Sequence, residues 1–251
     1  MNAAKEITDY MESLRNEEQR QVLMRFFKTG PGEYGEGDEF LGLKVPQTRE
    51  VVKAAIDTPL SEVPLLLTSR WHEVRLCGLL IMVSQFEKLA TKRLANDPEA
   101  TRKRDEIVEM YLKYAEQANN WDLVDLSAPK ILGHWLLLPT NLGDKIETLD
   151  ALAASSCLWR QRMSIVCTWK TSQQGDPWWC LRYAEKHLHH SHDLMHKAVG
   201  WMLREMGKRV GMDLLRDFLS LYAQEMPRTA LRYAIEKMDE AERQYWLHLP
   251  R

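Results

Sequence analysis

Trp121 and Asp125 stand four residues apart in the stretch NNWDLVD, and Asn120 is suited to cap a helix that begins at Trp121. On such a helix the indole and the carboxylate share a face, so an aromatic ring and an anion point the same way. A second group lies in KAVGWMLREMGKR. With Lys197 at zero and an advance of about 100° per residue, Lys197, Trp201, Arg204 and Lys208 share an arc of about 60°. Met195, Ala198, Val199, Met202, Leu203 and Met206 fall on the opposite side. Cations around an indole are the side chains that contact a sugar–phosphate backbone, the charges meeting phosphate and the ring meeting sugar or base. The same pattern also arises as a solvated face on which one tryptophan covers a neighbour. A third candidate is Arg162, which in LWRQRMSIVCTW lies amid Trp159, Ile165, Val166 and Trp169 with no acid three or four residues away. A partly buried guanidinium needs either a carboxylate from another helix, which would tie two helices together, or an external phosphate.

The elements that must position these residues are helical. Apolar residues recur at i, i+3, i+4 and i+7 over fourteen segments near 3–15, 17–28, 47–56, 61–68, 71–92, 99–118, 121–138, 143–154, 157–170, 177–188, 193–209, 212–223, 228–238 and 239–247. Pro46, Pro98 and Pro227, Asn120 and the Asp176-Pro177 pair stand at or near the starts of such segments. Strand alternation is absent, with one exception to weigh: residues 29–43, TGPGEYGEGDEFLGL, hold five glycines and predict a loop or a short hairpin. The expected fold is all-α, a curved solenoid of degenerate helical repeats of about 35–45 residues forming one domain over residues 1–251.

Composition supports an ordinary globular chain of 251 residues, 45% hydrophobic and 28% charged. The net charge of −2 hides an asymmetry: residues 1–159 hold 19 Lys and Arg against 25 Asp and Glu, whereas residues 160–251 hold 15 against 11. An anionic partner must therefore meet a local basic face contributed mainly by the C-terminal part. Cys77, Cys157, Cys167 and Cys180 form no C-x-x-C pair, which argues against zinc, an iron–sulfur cluster or a disulfide framework and predicts reduced thiols in a cytoplasmic protein. The N-terminal stretch lacks the apolar core of a signal peptide, and no run of about 18 apolar residues predicts a membrane span.

Two motifs lead away from the chemistry. Gly30-Pro31-Gly32-Glu33-Tyr34-Gly35 matches G-x-G-x-x-G, but it follows a helix where a dinucleotide site needs a strand, and Glu33, Glu36, Asp38 and Glu39 would repel a pyrophosphate. The segment reads as a surface probe or a spacer. In HLHHSHDLMH, His192 and His196 have the spacing of two metal ligands, with His187, His189 and His190 close by. No glutamate base or third ligand type accompanies them, and a solvated junction is the expected reading.

NNWDLVD, LWRQRMSIV, KAVGWMLREMGKR and MPRTALRYAIEK together resemble the signature segments of the HEAT-like-repeat DNA alkylation repair glycosylases of the AlkD type, in collinear order from about Val45-Pro46 to Lys237. The resemblance implies an all-α solenoid that cradles duplex DNA and hydrolyses the N-glycosidic bond of N3- or N7-alkylated purines. It puts the catalytic aspartate at Asp125, the backbone-contacting tryptophans at Trp121 and Trp201, and the active-site arginine at Arg162. The acidic glycine-rich insertion at 30–39 departs from that pattern, and related proteins with a hairpin extension bind branched DNA without base excision.

The implied chemistry suits the residues. An alkylated purine is cationic and leaves without a general acid, so one carboxylate beside the sugar can oppose the charge that develops there. The expectation is a monofunctional hydrolase with no cofactor and no metal. It acts on double-stranded DNA containing alkylated purines, with branched DNA as the alternative partner, away from membranes and as a monomer.

Overall fold

In the computed structural model the described residues are 3–139 and 141–250. Among them lie sixteen α-helices and two 3-10 turns, and no strand. The helices are α1 (Ala3–Ser13), α2 (Glu17–Phe26), α3 (Val45–Ala54), α4 (Val63–Leu67), α5 (His72–Leu89), α6 (Pro98–Lys113), α7 (Trp121–Ser127), α8 (Leu132–Leu137), α9 (Leu142–Ala153), α10 (Leu158–Val166), α11 (Thr168–Gln173), α12 (Trp178–Lys186), α13 (Asp193–Arg209), α14 (Met212–Tyr222), α15 (Arg228–Ala234) and α16 (Glu240–Leu247). Fourteen periodic segments become sixteen helices because two of them break. Pro129 has no amide hydrogen to continue the ladder, and α7 closes with the amides of Lys130 and Ile131 both returning to the Ser127 carbonyl. The other break comes at Cys167, whose carbonyl accepts from Lys170 in a three-residue step between α10 and α11.

Helices adjacent in sequence pack on one another, α4 on α5, α9 on α10, α11 on α12 and α13 on α14, as stacked helical repeats require. Contacts divide the chain into two compact units, residues 1–131 and 132–251. In the first, α5 is the core helix, buried nearly all round, and α1, α3, α4, α6 and α7 pack against it. In the second, α13 takes that place, with α10, α11, α12, α14 and α15 around it. The six residues assigned above to its apolar side are all buried. The four cysteines are free. Cys77, Cys167 and Cys180 are buried, and burial pushes the Cys77 and Cys180 thiols up to about 12 and raises the Cys167 thiol as well.

Residues 29–43 do not form a hairpin. They fold as successive turns with one isolated parallel bridge, between Glu39 and Trp71. The reason is where their amides go. Gly30 and Gly32 donate to the carboxylates of Glu33 and Glu36 (3.0 and 2.9 Å), and Leu41, Gly42 and Leu43 donate to the buried carboxylate of Glu73 (2.9, 2.8 and 3.0 Å). Amides answered by side chains leave no ladder for a second strand. Acids that would repel a pyrophosphate thus hold the loop's own backbone, and the loop lies close against its unit. A Cβ on Gly35 would stand 2.4 Å from the Phe27 carbonyl oxygen and 3.4 Å from Asn120 Nδ2.

Candidate active site and nucleic-acid interface

In the first unit α7 begins as the sequence predicts. Asn120 is extended at the N-cap, and its side-chain oxygen accepts from the Trp121 amide at 2.8 Å. Trp121 and Asp125 then stand one turn apart, both half-buried, while Leu123 and Val124 are sealed into the core. The indole rests on an aromatic bed. Phe27 stacks on it with ring centres 5.4 Å apart, and Phe26, itself exposed, meets it edge-on at 5.9 Å.

Behind this bed is a charged cluster that the sequence reading missed. His72, at the first position of α5, is buried between two carboxylates: its Nδ1 is 2.8 Å from Asp38 Oδ2 and its Nε2 is 2.9 Å from Asp122 Oδ2. Burial alone would lower its pKa, but Asp122 and Asp38 outweigh burial and push it up to about 9. Arg75 adds a second cation, with Nη2 donating to Asp38 Oδ1 at 2.5 Å and to Asn119 Oδ1 at 2.9 Å. Burial tends to raise the Asp38 carboxyl, and His72 and Arg75 together hold it below its ordinary value. Phe40 stacks on the imidazole at 4.3 Å, with Phe27 on it at 5.0 Å. The signal available was the position of Asp122 beside Trp121 and the charges of His72, Glu73 and Arg75 at the start of an apolar helix.

In the second unit Arg162 is buried at 4% exposure, and its Nη1 donates to the Leu194 carbonyl at 2.6 Å, which ties α10 to the first turn of α13. Trp201 is half-buried on α13. Of the cations sharing its arc, Lys197 pairs with Asp193 at 2.8 Å, a partner one turn away that the sequence displayed. Arg204 pairs with Glu236, beyond the end of α15, and approaches Glu205 at 3.5 Å. Lys208 is exposed.

The histidines near α13 differ from the solvated junction expected. His187 is buried, bonded through Nε2 to Ser164 Oγ at 2.8 Å, and burial, with His190 and Lys186 nearby, pulls its pKa down to about 4. His192 caps α13, its Nδ1 accepting from the Leu194 amide at 3.1 Å. His190 reaches Gln161 Oε1 at 2.9 Å, and His196 bonds to the His190 carbonyl. These bonds knit α10, α12 and α13 together. Among the described residues no group of three or more His, Cys, Asp or Glu is arranged to hold a metal, and no helix is long and apolar enough to cross a membrane.

A family model described as "DNA alkylation repair enzyme" matches residues 7–238, a span that runs through the glycine-rich loop. Among solved structures the chain is similar to a "Predicted DNA alkylation repair enzyme from Enterococcus faecalis", with a TM-score of 0.65 and 13% identity over 90% of this chain and 97% of that one. At that identity the likeness concerns the fold. No curated protein matches the chain.

Proposed function

The chain belongs to the DNA alkylation repair enzyme family, and from that membership we propose that it is a monofunctional DNA glycosylase, hydrolysing the N-glycosidic bond of cationic N3- or N7-alkylated purines in duplex DNA. The observation that carries this reading is α7, where the capped first turn sets Trp121 and Asp125 one turn apart on a half-buried flank. Asp125 opposes the positive charge that develops on the deoxyribose as the C1′–N bond breaks, and directs the water that completes hydrolysis. Trp121 and Trp201 hold the backbone at the lesion, with the base left largely stacked. Arg162 anchors α10 against the start of α13, and Lys197, Arg204 and Lys208 face phosphate, Lys208 as the most exposed of the three. The enzyme works as a monomer in the cytoplasm.

Incubation of the chain with methylated duplex DNA, followed by quantification of free 7-methylguanine and 3-methyladenine, tests the proposal. Release of either base at enzyme-dependent rates is expected. Tight binding of duplex or branched DNA without release would instead make the protein a non-enzymatic binder and overturn the glycosylase reading.

A further inference from the structure

The glycine-rich loop has so far no part in the chemistry, and one buried side chain gives it one. Asp38 leaves the loop and ends inside the first unit at 5% exposure, and Phe40, Leu41 and Leu43 follow it into the core. Its carboxylate meets one nitrogen of His72, while the Asp122 carboxylate, from the first turn of α7, meets the other. A carboxylate on each ring nitrogen is satisfied only if both carry hydrogen, so the ring is an imidazolium. With Arg75 on Asp38 the cluster holds two anions and two cations, a balance that lets it stay buried. Arg75 also holds the side chain of Asn119, the residue before the α7 cap. The His72 amide donates to the Glu39 carbonyl at 2.8 Å, fastening the loop a second time. Loop, α5 and α7 are therefore joined at one ring, and Phe27 touches both that ring, tilted against it at 5.0 Å, and the Trp121 indole, on which it stacks at 5.4 Å.

We propose that Asp38, His72 and Asp122 are positioning residues, an ionic clamp by which the glycine-rich loop fixes the first turn of α7 and so sets the Trp121 indole, and Asp125 one turn later, for base release. The proposal rests on the reading of α7 as the reacting flank. It makes the loop a brace behind the site and not a probe for branched DNA. A buried ion cluster that served stability alone would leave Trp121 indifferent to the proton on His72. The charged groups facing the ring are Asp38 from the loop, Asp122 from α7 and, through Asp38, Arg75 from α5 itself; Glu73 is turned to the amides of residues 41–43, and the C-cap of α2 adds the uncharged ring of Phe27.

The test uses the full chain labelled with 5-fluorotryptophan, the Trp121 fluorine resonance being assigned with Trp121→Phe and Trp201 serving as the internal control. Between about pH 7 and 10.5 the Trp121 resonance should move with a midpoint near the His72 pKa of about 9, while that of Trp201 stays in place. His72→Gln and Asp38→Asn should displace the Trp121 resonance at neutral pH and slow single-turnover base release by about tenfold or more, with duplex affinity within about threefold. A Trp121 resonance that stays still through the titration, with His72 deprotonation followed on its own ring carbon, overturns the clamp even if His72→Gln fails to fold. Wild-type protein that releases no base sinks the glycosylase reading alone, because the fluorine titration still decides whether the clamp governs Trp121.

Discussion

In the proposed reaction Asp125 is the one carboxylate at the sugar and no acid protonates the departing base, which sets sharp limits on what should react. Asp125→Asn keeps size and polarity but removes the charge that opposes the forming cation, which should cost about 2.7–4 kcal/mol of barrier lowering, a fall of roughly 10²–10³ in single-turnover excision. Duplex affinity should change by no more than a few fold. For the same reason 7-methylguanine and a bulkier N7-alkylguanine should both be released from matched duplexes, while hypoxanthine and 1,N6-ethenoadenine should not; efficient release of either neutral base would falsify a mechanism without a general acid. Lys208, exposed on α13, should lower the slope of log affinity against log salt by about 0.9 when changed to alanine, the worth of one neutralised phosphate. At this scale the sequence displayed Trp121, Asp125 and the Asn120 cap because all three follow from a single helical turn. The clamp at His72 stayed hidden because its partners lie 34 and 50 residues away, with no period to connect them.

Helix α13 shows how an element can be legible in pattern and still depend on a contact that the pattern does not reveal. Its apolar face was readable from the spacing of Met195 to Met206, but not its closeness to α15. A Cβ on Gly200 would lie 2.3 Å from the Ala230 carbonyl oxygen and 2.5 Å from Tyr233 Cβ, so the two helices meet backbone to backbone beside Trp201. Gly200→Ala should lower stability in urea by about 1–3 kcal/mol despite the better helix propensity of alanine, and should slow base release by displacing Trp201. A more stable variant with full activity would show that α15 gives way freely. The breaks at Pro129 and Cys167 mark the same limit. Proline was visible in the sequence, whereas nothing in the residue types around Cys167 announced a change of direction.

Across the whole molecule, fold class followed from periodicity, and the separation into two units did not, because each unit is built from the same repeating pattern. The buried ions make stability depend on pH with a definite sign. His72 ordinarily titrates near 6.5 and in the folded chain near 9, so its contribution, of the order of 3 kcal/mol, is full below about 6.5 and is lost as the pH rises through about 9. Urea midpoints should fall over that alkaline window in the wild-type chain, and the fall should be absent in His72→Gln. Thiol burial bears on a different hazard. Among protein side chains, thiolates are prime targets of methylating electrophiles. Cys77, Cys167 and Cys180 are enclosed and keep their protons far above neutral pH, which leaves half-buried Cys157 as the most accessible thiol. Burial of those three thiols means that, among the cysteines, damage by such reagents should register first at the N-cap of α10, where Cys157 lies.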